Sequence, residues 1–184
     1  MRSMIFCFVL ALLTVPVNAT VVVPAEFREV VGGSELIAYG TVVDVRSGWA
    51  DGRSRIESVV TVDVAAWYKG GNERTLAFVV PGGEVGRYRS VMIGAPVFKP
   101  GDQAFLFLKT RGAERPYVFG LNQGVFRVSV DANGVRQVTT PLLMATGDAP
   151  ERVQRGARGR KPIPIDEFGT QLRSVVGALR TGAQ

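Results

Sequence analysis

Histidine is missing from this chain, and its single cysteine is Cys7. Ser-His-Asp and Cys-His nucleophilic catalysis, His-ligated zinc and imidazole proton transfer are therefore closed to it. Carboxylates, lysines and tyrosines remain for acid–base work. Asp44, Glu57, Asp63 and Glu84 are the acids to weigh first, because two facing carboxylates make a glycosidase-type pair. Asp44 and Asp63 fall at polar positions of strand-like stretches, which is the ordinary place for a charge. Calcium is weighed around Asp51 and Asp131, but neither region has the dense Asp/Asn ladder of a calcium loop. The sequence thus predicts no catalytic residue, no metal site, no cofactor and no enzyme.

Two segments have residue types suited to binding. The first is Pro81-Gly82-Gly83-Glu84-Val85-Gly86-Arg87-Tyr88-Arg89. Successive glycines can turn backbone N–H groups toward an anion, and Arg87 and Arg89 would add charge. The segment lacks the Lys-Ser/Thr ending of a phosphate-binding loop, and no helical pattern follows it. The plainer reading is a long hairpin loop whose glycines supply positive φ. On either reading it is the best loop for recognition, with Gly82, Gly83, Glu84, Gly86, Arg87 and Arg89 as candidate contacts.

The second segment carries Arg152, Arg155, Arg158, Arg160 and Lys161 with no acid among them. The chain has 22 basic and 16 acidic residues, and these five cations with Arg2 account for the whole excess. One reading is electrostatic contact with an anionic lipid, glycan or polymer. The other is a solvated tether, favoured because no aromatic residue interleaves with the arginines as stacking requires. A nucleic-acid-binding barrel would carry its excess charge on the barrel itself, so no specific nucleic-acid partner is expected.

These segments sit in a chain of 184 residues that is 46% hydrophobic, enough for one ordinary domain with tails. Residues 1–19 have the anatomy of a secretory signal peptide: Arg2, an apolar run from Ile5 to Val17, and Val17-Asn18-Ala19 as a cleavage site. The run is short for a membrane span, and no later run approaches one. Cleavage near Ala19 would discard Cys7 and leave a secreted or periplasmic protein that uses no disulfide.

Between residues 34 and 138 the pattern is one of short strands. Residues 36–46 are rich in Val, Ile, Tyr and Thr, and are followed by a turn through Ser47, Gly48, Asp51 and Gly52. Ile56, Val60, Val62, Val64 and Ala66 then alternate with Glu57, Thr61, Asp63 and Trp67, the period of a half-buried strand. Residues 75–80, 104–108 and 117–121 are short apolar runs, and 125–130 alternates. Asn133-Gly134 predicts a type I′ hairpin to residues 135–138. Trp49, Trp67 and Tyr68 are read as core or rim aromatics. A helical turn fits residues 25–31. Residues 141–164 read as a Gly/Pro/Arg-rich linker. Phe168, Leu172, Val175, Val176 and Leu179 then form one helical stripe, with Asp166 as N-cap and Gly169 and Gly177 weakening the helix by up to about 1 kcal/mol each.

The order of these motifs resembles that of netrin-like and TIMP-like domains. Ser34-Glu35-Leu36-Ile37-Ala38-Tyr39-Gly40-Thr41-Val42 is similar to their first strand, Trp67-Tyr68-Lys69-Gly70 to their strand ending, and residues 98–108 to their "F-x-x-G-x-x-x-L-x-F-L" strand. With Gly94-Ala95-Pro96 and residues 120–126, the chain also resembles a recurrent set of bacterial exported proteins. The resemblance spans roughly residues 27–130 and implies an OB-fold barrel. Inhibitors of this type set an N-terminal cysteine on a protease zinc, and a mature chain without cysteine cannot carry that contact.

The resulting expectation is a mainly β protein: a small OB-like, netrin-like antiparallel barrel or sandwich of six to seven strands over residues 20–140, a linker over 141–164 and an amphipathic helix over 165–184. The expected function is that of an exported, non-catalytic module binding an envelope or extracellular protein through its barrel loops. The rival is an anionic-surface binder working through the basic segment. A carboxylate hydrolase ranks third.

Overall fold

The computed structural model describes residues 25–141 and 162–182. Residues 1–19, expected to be a signal peptide with its cleavage site, Cys7 among them, and all five cations of the basic segment lie outside the described residues.

A short helix α1 (Phe27–Gly32) precedes two long strands, β1 (Leu36–Ala50) and β2 (Arg55–Lys69), joined by a 3-10 turn at Asp51–Arg53. There follow β3 (Thr75–Pro81), β4 (Gly83–Val85), β5 (Tyr88–Ser90), β6 (Gln103–Lys109), β7 (Tyr117–Val118), β8 (Val125–Val130), β9 (Arg136–Thr139), β10 (Ile163–Pro164) and helix α2 (Ile165–Thr181). The large sheet runs β1-β2-β3-β7-β6-β8-β9-β10, and β6 also pairs with β1. That extra pairing closes β1, β2, β3, β7 and β6 into a five-stranded barrel of OB type. One barrel contact, β3 with β7, is parallel at Val79–Tyr117, and the others are antiparallel. Outside the barrel, β8, β9 and β10 extend the sheet from the part of β6 (Gln103–Leu106) that β7 leaves unpaired on that edge.

The strands are apolar where both faces are covered. Along β6, Ala104, Leu106 and Leu108 join the barrel interior with Val42, Val60, Val62, Phe78 and Val125. Phe105 and Phe107 face outward into a second core with Ile37, Phe126 and Val138, which α1 and α2 cover. Phe168 of α2 closes this core, 4.7 Å from Phe105 and 5.2 Å from Phe126 between ring centroids. A continuously apolar strand is the expected outcome for β6, since neither face meets water.

Several local expectations are corrected. Ser47 and Gly48 continue β1, which extends to Ala50, because Ser47 pairs across the sheet with Ser58 and joins it hydroxyl to hydroxyl at 2.9 Å. The β8–β9 loop is longer than the two-residue type I′ turn: Val130 pairs with Arg136, and the Asp131 carboxylate accepts bonds from the backbone N–H groups of Asn133 and Val135 at 2.9 Å each. Asp131 thereby organises a five-residue loop that the Asn-Gly pair alone does not define. Ile163 and Pro164, read as linker, are strand β10 against Val138 and Gln137. The α2 N-cap is Pro164, since the helix starts directly from that strand, and Asp166 lies in the first turn. There its charge still favours the helix N-terminus.

Candidate functional site

The β1–β2 hairpin projects beyond the closed part of the barrel. β6 accompanies β1 only as far as Thr41–Gln103, and the Val42 N–H then donates to Asp102 O while the Gly101 N–H donates to Val42 O, both at 2.8 Å. Over this projecting end lies the β4–β5 hairpin, with Glu84 opposite Arg89 and Val85 opposite Tyr88. Its two-residue turn places Gly86 at φ 60°, the positive φ that the first position of a type II′ turn needs. Trp49 near the tip of one hairpin meets Tyr88 of the other edge-on, with centroids 5.4 Å apart. Ser58 is buried and donates to Gly82 O at 2.8 Å, tying the start of the second hairpin to β2.

Residues 91–98 then cross from β5 to β6. Phe98 turns inward and plugs the barrel against Phe78, 5.4 Å away and edge-on. Arg127 fixes this crossing from outside. It donates to Asp102 at 3.0 Å and to Val97 O, and its guanidinium lies over the Phe98 ring at 5.1 Å. The neighbours of Phe98 face water: Val91, Ile93 and Val97 are 72%, 95% and 82% exposed, and Met92 is also exposed. Isolated exposed aliphatics are ordinary, but four within seven residues beside exposed Trp49 and Tyr88 form a patch of the kind that marks an interaction site.

Between the crossing and the projecting hairpin is a cleft of about 350 Å³. Val45 and Ser47 form one wall, Pro81, Gly82 and Gly83 the back, and Ala95, Pro96 and Val97 the other wall. Gly82, Gly83, Glu84 and Arg89, all singled out in the sequence, line this cleft, whereas Gly86 and Arg87 sit at the turn of the hairpin above it. The charges are arranged differently from an anion cradle: Arg89 pairs with Glu84 at 3.2 Å, and Arg87 lies over the Tyr88 ring at 5.2 Å. The Gly82 N–H donates to Ile56 O at 2.9 Å. The glycines thus serve the hairpin, and the surface around them mixes Ser47, Ser58 and the Glu84–Arg89 pair with the apolar Val45, Val91 and Val97.

The candidate carboxylates Asp44, Asp51, Glu57, Asp63 and Glu84 are each paired with an arginine, and Asp51 and Glu57 share one. Asp44 pairs with Arg46 at 2.8 Å, Glu57 with Arg55 at 2.9 Å, Asp63 with Arg74 at 3.3 Å and Asp51 with Arg55 at 2.7 Å. No group of three or more Cys, Asp or Glu side chains placed to hold a metal occurs among the described residues. The two perturbed titrations also lie elsewhere. Hydrogen bonding from the Val135 N–H, against partial desolvation and with help from Asn133 and Gln137, holds the Asp131 carboxyl below its ordinary range. Burial under α2 raises the Tyr68 hydroxyl, which Arg173 partly offsets. Trp67 donates to Glu73 O at 2.7 Å and packs on the barrel core.

Sequence reasoning missed the exposed aliphatics Val91, Met92, Ile93 and Val97. The signal was the run Val91-Met92-Ile93 followed by Gly94-Ala95-Pro96: apolar residues in a stretch that Gly and Pro bar from a strand. No helix among the described residues is long and apolar enough to cross a membrane. No protein-family model matches the chain, and a search of curated proteins returns no match.

Proposed function

We propose that the protein is an exported, non-catalytic binding module that takes a protein partner on the end of the barrel formed by the two hairpins and residues 91–97. The observation that carries this reading is the exposure of Val91, Met92, Ile93 and Val97 beside Trp49, Tyr88 and a cleft lined by both apolar and polar side chains. Leaving these groups in water forgoes burial free energy of about 25 cal/mol per Å², which a partner recovers by covering them. Their mixture of aromatic and aliphatic side chains with polar surroundings is that of an interface core with a rim. Export rests on the signal-peptide pattern of residues 1–19, with an envelope or extracellular compartment as its consequence. Membership of the netrin-like domains belongs to the same proposal. It is supported by the barrel order and by where the motif residues fall: Leu36 opens β1, Lys69 ends β2, and residues 98–108 supply the barrel plug and β6.

The test is capture of a partner from the envelope fraction by the wild-type protein, by Ile93→Asp, and by a deletion of residues 152–161, at low and high salt. The reading expects capture to survive high salt and the deletion and to be lost in Ile93→Asp. Loss with salt or with the deletion, and indifference to Ile93→Asp, would transfer function to the basic segment and its anionic ligand.

A further inference from the structure

We propose that the partner supplies an extended segment, apolar at alternate residues and flanked by acids, that adds as a strand to the outer edge of β1. This rests on the protein-binding reading above and names the shape and charge of the ligand. Beyond Val42, one side of β1 pairs with β2 down to Ala50–Arg55, while on the other side residues 43–49 have no backbone partner among the described residues. Those seven residues present roughly 20 Å of open edge, a row of N–H and C=O groups set for an incoming strand. The edge begins where the barrel wall loses β6, so an added strand continues an existing pairing.

The edge also adjoins the cleft. Val45 and Ser47, two residues apart and so on one face, line its wall, with Pro96 and Val97 opposite. An added strand would therefore place every second side chain in the cleft, against Val45 and Val97, and the intervening ones in water. Backbone pairing supplies affinity in this mode and the alternate pockets supply selectivity. Indiscriminate pairing is held back by the irregularity of β1 between Val42 and Asp44 and by the Asp44–Arg46 ion pair on the edge itself, 2.8 Å.

Charge sets the flanks. Lys99 stands in the turn beside Val42, at one end of the open edge, and Arg53 and Arg87 are at the hairpin tips near Trp49, at the other. All three are exposed, and none has a carboxylate within ion-pair distance among the described residues, unlike Arg46, Arg55 and Arg89. A segment with an acid before and after its apolar core meets a cation at each end.

A random linear peptide library displayed on phage, panned against the full-length protein, tests this directly. Enriched sequences should share apolar residues at every second position with Asp or Glu at both ends. Synthetic copies should slow amide exchange across residues 43–49. N-methylation at one alternate set of peptide positions should cut affinity roughly ten- to thirtyfold, as loss of an interface anchor does, and at the intervening set should not. The double variant Lys99→Glu, Arg87→Glu should weaken the same peptides while leaving the urea midpoint unchanged. Helical spacing in the enriched peptides, exchange protection away from residues 43–49, N-methyl effects without the alternation, or failure of any linear peptide to enrich would each overturn strand addition. Where the strand signature is lacking but Ile93→Asp still abolishes protein capture, the protein-binding reading stands and only the strand fails. Binding of phosphatidylglycerol vesicles through residues 91–97, with no protein captured, would overturn both.

Discussion

Ile93 and Gly83 lie on the same end of the molecule, and substitutions at them should differ in their effect on stability. The Ile93 side chain is almost wholly in water, so Ile93→Asp removes no packing and should change unfolding free energy by less than about 0.5 kcal/mol. Its cost should appear only in partner capture. Gly83 has φ 135°, and a Cβ there would overlap the Ser47 and Ser58 hydroxyls. Gly83→Ala should therefore destabilise by about 1–3 kcal/mol, read from the urea midpoint, with partner capture falling as the hairpin shifts. Asp131 gives a pH signature. Its folded value is lowered chiefly by the Val135 N–H, so the bonds holding the β8–β9 loop are complete above the ordinary carboxylate value of 3.8 and are lost as pH falls through the lower folded value. The Asn133 and Val135 amide resonances should accordingly stay fixed down to about pH 4 and move below it. Movement centred above that point would refute the assignment.

Among the elements, α2 carries a large share of the outer core, whereas the β4–β5 hairpin lies at the end proposed for recognition. Phe168 joins Phe27, Phe105 and Phe126 in the outer core, so Phe168→Ala should cost about 3–5 kcal/mol and lower the thermal midpoint markedly. The helix was legible because its stripe repeats at the helical period, and β6 was legible as an apolar run. The ends of β1 were not: Ser47-Gly48 has turn composition, yet the cross-strand hydroxyl contact to Ser58 keeps it extended. The parallel β3–β7 contact was also hidden, since it rests on a two-residue strand whose pairing comes from barrel closure and not from local pattern. For the candidate site, composition pointed to the glycine hairpin, which does line the cleft. It did not reveal that Val91, Met92, Ile93 and Val97 of the crossing beside it stay exposed, because that depends on Pro96 and Phe98 being the residues that turn inward.

On the scale of the whole molecule, barrel and helix share β6. Its Phe105 and Phe107 are covered by α2 and α1 together, and its Leu106 and Leu108 fill the barrel. A chain ending before residue 162 would expose that aromatic face and lose β10, and it should bind a hydrophobic dye and lose cooperative thermal unfolding. The partner surface we propose lies elsewhere, on the projecting hairpins and residues 91–97, away from the outer aromatic core. The most direct measurement of this division is the affinity of the captured partner, isolated and titrated against wild type, Ile93→Asp and the deletion of residues 152–161. Wild type and the deletion should bind with near-equal affinity, and Ile93→Asp should lose at least roughly tenfold at unchanged stability. Equal affinity for wild type and Ile93→Asp, with the loss falling on the deletion, would contradict that division.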